Sequence, residues 1–116
     1  MTHRTRIKIC GLTRLEDVQG AIAAGADAVG FVFYARSPRY IQPEAAAKLI
    51  AQIPPFVTAV GLFVNASVEE VQAIVAQTSI AMLQFHGDET MEECADLMTC
   101  SFEQQGPFLI ELITSK

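Results

Sequence analysis

Four times in succession, a short and almost unbroken apolar run is followed by a segment whose apolar residues recur at helical spacing. The runs fall at 6–10, 28–33, 58–64 and 80–86, and Val29-Gly-Phe-Val-Phe33 is typical of them. Runs this short read as strands, and near-continuous apolarity marks strands covered on both faces, which are usually parallel. Between them, Leu15, Val18 and Ile22 share one helical face. So do Ala46, Leu49, Ile50 and Ile53, then Val68, Val71, Ile74 and Val75, then Met91, Cys94, Ala95 and Met98.

The helix boundaries are signposted. Thr13-Arg-Leu-Glu16, Ser67-Val-Glu-Glu70 and Thr90-Met-Glu-Glu93 each fit a capping box, in which a hydroxyl and a glutamate satisfy free backbone N–H groups reciprocally. Pro43 suits a first helical position, where no N–H is needed, while Gly25 and Pro54-Pro55 mark helix ends. A weaker fifth apolar run follows at 108–113. The order is therefore β-α four times plus a fifth strand. Right-handed crossovers then place the helices outside a parallel sheet or barrel. No linker or low-complexity tract divides residues 1–116, so a single domain is expected.

Charge and cysteine usage narrow the function classes. The net charge is -5 with the basic residues scattered, which argues against a nucleic-acid footprint. No window approaches the roughly 18 apolar residues of a membrane span, and the first ten residues lack a signal-peptide pattern. Cys10, Cys94 and Cys100 lack metal-ligand spacing and leave one thiol over in any disulfide scheme. Reduced thiols in a cytoplasmic protein, with no metal and no cofactor, are the expectation.

Parallel α/β folds gather chemistry at the C-terminal strand ends, where the loops converge. Here those places carry Cys10-Gly-Leu-Thr13, Tyr34-Ala-Arg-Ser-Pro-Arg39, Asn65 and His86-Gly-Asp-Glu89. Taken singly, a cysteine is commonly a small buried hydrophobe, a loop arginine is solvated, and His86 could hydrogen-bond loop backbone. Asn65 reads as a loop former, Asp88 as a charge at the fourth helix N-terminus, Arg36 as a surface residue and Cys94 as core.

Together, Lys8-Ile-Cys-Gly-Leu-Thr13, Gly30-Phe-Val-Phe-Tyr-Ala-Arg-Ser-Pro-Arg-Tyr-Ile41, Val60-Gly-Leu-Phe-Val-Asn65 and Leu83-Gln-Phe-His-Gly-Asp-Glu89 resemble the successive signatures of the phosphoribosylanthranilate isomerase family. The likeness runs from about Arg6 to Cys94. It implies a partial (β/α)8 barrel of the TIM type with parallel strands in sequential order. It also implies an aldose–ketose isomerase of tryptophan biosynthesis acting on a small phosphorylated substrate. That reaction is the Amadori rearrangement of N-(5-phosphoribosyl)anthranilate to an aminoketose phosphate. By the resemblance Cys10 is the general base, Arg39 holds the anthranilate carboxylate, and His86 lies at the substrate mouth. A guanidinium fork suits a carboxylate, and a thiol serves as a base once ionised. Lys8 is close to Cys10 in sequence, but strand alternation is expected to send the two to opposite faces, so it is given no part in activating the thiol.

The resemblance also implies groups that these residues do not supply. The family's general acid is an aspartate ending a sixth strand, and its phosphate cradle follows strands seven and eight. Residues 95–116 match the family only faintly, with Glu111 where basic residues are usual. These 116 residues alone are therefore expected to have negligible isomerase activity. Two other readings stay open: a flavodoxin-like binding module with strand order 2-1-3-4-5, and a non-catalytic half-barrel whose open edges pair with a second copy.

Overall fold

The computed structural model describes residues 4–102 and 110–112. Its elements run β1 (Lys8–Cys10), α1 (Leu15–Ala23), β2 (Ala28–Val32), α2 (Pro43–Ile50), β3 (Thr58–Phe63), α3 (Val68–Thr78), β4 (Met82–Phe85), α4 (Met91–Phe102) and β5 (Ile110–Leu112). The strands form one parallel sheet in the order β1-β2-β3-β4-β5. Sequential order is incompatible with the flavodoxin-like alternative, which places the first strand between the second and third. Only part of the fifth apolar run lies among the described residues, and that part pairs in parallel with β4.

Alternation along each strand sorts the side chains onto two faces. Val29, Phe31, Ala59, Phe63, Leu83 and Phe85 pack with Val18, Ala46, Val71, Ile74, Val75, Cys94 and Leu97 of the four helices in one buried cluster. Within it Phe63 stacks on Phe33 and meets Phe85 at a tilt, with ring centroids 5.5 Å and 6.3 Å apart. The helices therefore cover one face, and the other is left to Lys8, Cys10, Gly30, Val32, Val60 and Gln84.

Of the three expected capping boxes, the one at Thr90 forms in full and the one at Ser67 forms its hydroxyl half. The Glu70 N–H donates to Ser67 Oγ, and Thr90 and Glu93 exchange bonds at 2.9 and 3.1 Å. The Thr13 box does not form, because α1 begins at Leu15 and its cap is Arg14, one residue later, with no side-chain capping bond. The start is fastened instead by Arg14 Nε on Asp17, 3.2 Å away. Gly25, at φ +99°, closes α1 as anticipated, with its own N–H on Ile22 and that of Ala26 on Ala21. Pro43 opens α2 at its first turn. The expected stretch to Ile53 is shortened to Ile50, and Gln52 and Ile53 continue only as tight three-residue turns. Pro54 disfavours helical backbone at the residue before it.

The lower end of β1 is held by one carboxylate. Asp27 accepts two bonds from Arg4, at 2.6 and 2.9 Å, and one from the Ile7 N–H at 2.8 Å. The Arg4 guanidinium and that N–H hold its carboxyl down at about 2. An unconstrained aspartate titrates near about 3.9. The contribution is therefore complete above pH 4 and is lost as pH falls through 2. Acid unfolding of an Asp27→Asn variant, followed by far-UV circular dichroism, is expected to lack the part of the stability loss that the parent shows between pH 4 and pH 2. Truncating the central ring, Phe63→Ala, is expected to cost about 3–5 kcal/mol in urea titrations, the usual range for an emptied buried aromatic site.

Candidate active site

All four strand-end motifs reach the same rim. Cys10 closes β1 opposite Gly30 in the register, and its side chain is half-buried. The thiol needs that glycine: a Cβ added at Gly30 would lie 2.9 Å from Cys10 Sγ and 3.3 Å from its Cα. The Gly30 carbonyl also accepts from both Gly11 and Leu12 N–H groups, which anchors the chain where it turns after the cysteine, Gly11 standing at φ +83°.

Arg39 arrives on a loop that folds back over β2. Ser37 and Tyr40 N–H groups close two turns, Arg39 N–H donates to Ser37 Oγ at 3.1 Å, and Tyr40 bridges to Val32. The aliphatic stem of Arg39 then lies against Gly11, where a Cβ would collide with its Cδ, while the residue itself stays exposed. Cys10 and Arg39 thus share one end of the sheet, separated by a single residue's backbone. Arg36, in the same loop, is exposed with no described partner.

His86 sits at the same rim but on the far side. Its N–H continues the ladder to the Phe63 carbonyl at 2.9 Å, and alternation from the buried Phe85 turns it to the helix-free face. Three strand spacings, roughly 14 Å along the sheet, separate it from Cys10. Asn65 adopts φ +52° and accepts the Asp88 N–H on its Oδ1 at 2.9 Å, as befits a loop former. Asp88 precedes α4 by three residues, and the capping bonds of that helix come from Thr90 and Glu93. Glu89, not singled out by sequence, receives N–H bonds from both Asn65 and Gly87. Its signal was only its place after the strand, shared with every neighbour.

Lys8 requires a correction. It lies two residues from Cys10, not one, and a period of two puts both on the same face. Its ammonium donates to Gln84 Oε1, on a glutamine 3% exposed on β4. Lys8 therefore lies beneath Cys10 on the helix-free side.

Two cavities flank this arrangement. One of about 300 Å³ lies between the α3 start and α4, lined by Asn65, Ser67, Glu89 and Asp96. Another, of about 520 Å³, opens at the opposite end of the helix-free face beside Arg6, Lys8 and Thr58. Neither is lined by Cys10 or Arg39, whose shared rim is open. Among the described residues, no group of three histidine, cysteine or acidic side chains is placed to hold a metal ion. No described helix is long and apolar enough to cross a membrane.

The model of the N-(5'-phosphoribosyl)anthranilate (PRA) isomerase family matches residues 7–110. The chain belongs to that family. It is 83% identical over 95 residues to the N-(5'-phosphoribosyl)anthranilate isomerase of Herminiimonas arsenicoxydans, covering 82% of this chain and 42% of that relative. The Ralstonia nicotianae isomerase is 56% identical over 95 residues, with 82% and 41% covered. Among solved structures, the Thermotoga maritima phosphoribosyl anthranilate isomerase superposes with a TM-score of 0.83 at 37% identity, covering 97% of this chain and 63% of that one. A phosphoribosyl anthranilate isomerase solved in complex with reduced 1-(o-carboxyphenylamino)-1-deoxyribulose 5-phosphate gives 0.81 at 40% identity, covering 96% and 53%. The chain thus spans about two fifths of the curated relatives' length, and its fold is that of a partial barrel.

The two described thiols differ in environment. Burial, with Glu89 and Glu93 nearby, pushes the Cys94 thiol up and leaves it only 3% exposed. Brief iodoacetamide treatment of the folded chain is expected to alkylate Cys10 well before Cys94, as read by peptide mass spectrometry. Equal rates would contradict the burial of Cys94.

Proposed function

We propose that these residues form the base-and-clamp portion of a phosphoribosylanthranilate isomerase of tryptophan biosynthesis. The observation that carries this reading is the approach of Arg39 to the backbone beside Cys10 at the C-terminal rim. Cys10, as thiolate, takes the proton from C2 of the ring-opened aminoaldose. The C2–H pair becomes the C1–C2 double bond while the C1=N double bond of the ring-opened iminium gives its pair to nitrogen, and the resulting enolamine tautomerises to the aminoketose. Arg39 grips the anthranilate carboxylate through its N–H fork, fixing the aromatic end so that C2 faces the sulfur. His86 contributes to the substrate mouth across the rim. By family resemblance, the acid and the phosphate cradle belong to later strands outside this sequence. A reducing compartment, the cytoplasm, suits a base that must remain a free thiol.

The test uses a chimera in which residues 1–94 of this chain replace the matching part of the Herminiimonas arsenicoxydans relative. The chimera is expected to turn over phosphoribosylanthranilate in a fluorescence assay. Cys10→Ser is expected to reduce kcat by about 10²–10⁴-fold, the usual contribution of a positioned acid–base group. Arg39→Ala is expected to act mainly on KM. The 116-residue polypeptide assayed alone is expected to show negligible turnover. Full activity of the Cys10→Ser chimera would remove the base assignment.

One observation favours a second property. Among the described residues, β1 and β5 are each paired on one side only, and Ile7 and Ile9 on the β1 edge are 49% and 38% exposed. An unpaired edge bearing apolar side chains is prone to strand pairing. Two copies of the isolated chain are expected to associate through it. Sedimentation as a stable monomer at micromolar concentration would refute this.

A further inference from the structure

The loops after β3 and β4 are buckled together by bonds that neither helix cap requires. Glu89 spends both carboxylate oxygens on backbone: Oε2 accepts the Asn65 N–H at 2.6 Å, and Oε1 accepts the Gly87 N–H at 2.8 Å. Asn65 returns the bond across the same gap, its Oδ1 accepting the Asp88 N–H at 2.9 Å. The fit is close: a Cβ on Gly87 would lie 2.7 Å from Asn65 Oδ1 and 2.9 Å from Glu89 Oε1. The helices that follow are capped by other residues, Ser67 for α3 and Thr90 with Glu93 for α4. The bonds therefore serve to join the loops. What they immobilise is the segment that directly follows His86.

We infer that Glu89 and Asn65 are positioning residues that hold His86 at the substrate mouth. The inference rests on the isomerase reading above. His86 is exposed, and its only described polar tether is its backbone N–H on Phe63. An exposed ring after a strand keeps its place only if the chain beyond it is fixed, and three charge-assisted or neutral bonds within four residues fix it. Asn65 is suited to its half of the buckle because asparagine tolerates the left-handed backbone that aims its amide across the gap.

The chimera described above provides the test, with variants assayed at temperatures where circular dichroism shows them folded. Glu89→Gln exchanges one acceptor oxygen for a donor and leaves one backbone N–H facing another donor. Asn65→Gly keeps the left-handed backbone and removes only the acceptor, so it carries the test if the Gln variant does not fold. Each is expected to raise KM by about 5–10-fold with kcat within about twofold of the parent. In a His86→Ala background, neither is expected to raise KM beyond the value of His86→Ala alone, because residues acting through one group are not additive. Parental KM in both variants, or KM increases that persist undiminished in His86→Ala, would overturn the inference. The Cys10→Ser chimera keeps the two readings apart: if it loses turnover while the buckle variants keep parental KM, only the positioning role fails. If the unsubstituted chimera shows no turnover, the isomerase reading itself has failed.

Discussion

The layer of rings and aliphatic groups between the sheet and its helices is the constraint on which the structure depends. Phe31, Phe63, Phe85, Val29 and Leu83 are fully buried there against Val18, Val71 and Ile80. Removal of such surface from water is the main favourable term in folding, and it is non-directional. Direction comes from the strand period of two. Once one set of alternate residues is committed to the helices, the other set is committed to the opposite face. A one-residue slip in β1 would exchange Ile9 for Cys10 and take the thiol away from the helix-free side.

That commitment leaves little room for a side chain at the two glycines beside Cys10. The sulfur occupies the space above Gly30, and the Arg39 stem occupies the space above Gly11. Both glycines face these two side chains and not the core. Lys8 belongs to the same face through its bond to Gln84. A cation and a nearly buried amide thus lie under the rim, on the side that a complete barrel of this family encloses.

The rim is built in two halves with different mechanics. Beside β1 and β2, position is set by steric fit of side chains against absent ones. Beside β3 and β4, it is set by hydrogen bonds from Glu89 and Asn65 to backbone N–H groups. Steric fit fixes a nucleophile or base to within fractions of an ångström, since packed atoms repel steeply.

Much of this was legible in the linear order. Apolar runs located β1 to β4 to within about two residues at each end, because burial on both faces leaves few polar residues inside a strand. The boxes at Ser67 and Thr90 were readable because capping is local chemistry. The motifs around Cys10, Arg39 and His86 were readable as strand-end residues. The box at Thr13 was not, since the helix start shifted by one residue after the Gly30 carbonyl had engaged Gly11 and Leu12. The face of Lys8 follows from the period of two, yet its partner Gln84 lies 76 residues away. The meeting of Arg39 with Gly11 and the buckle from Glu89 to Asn65 were decided only by tertiary structure. Each joins residues from different βα units, and such contacts depend on how the sheet is assembled, which the spacing within one unit does not specify.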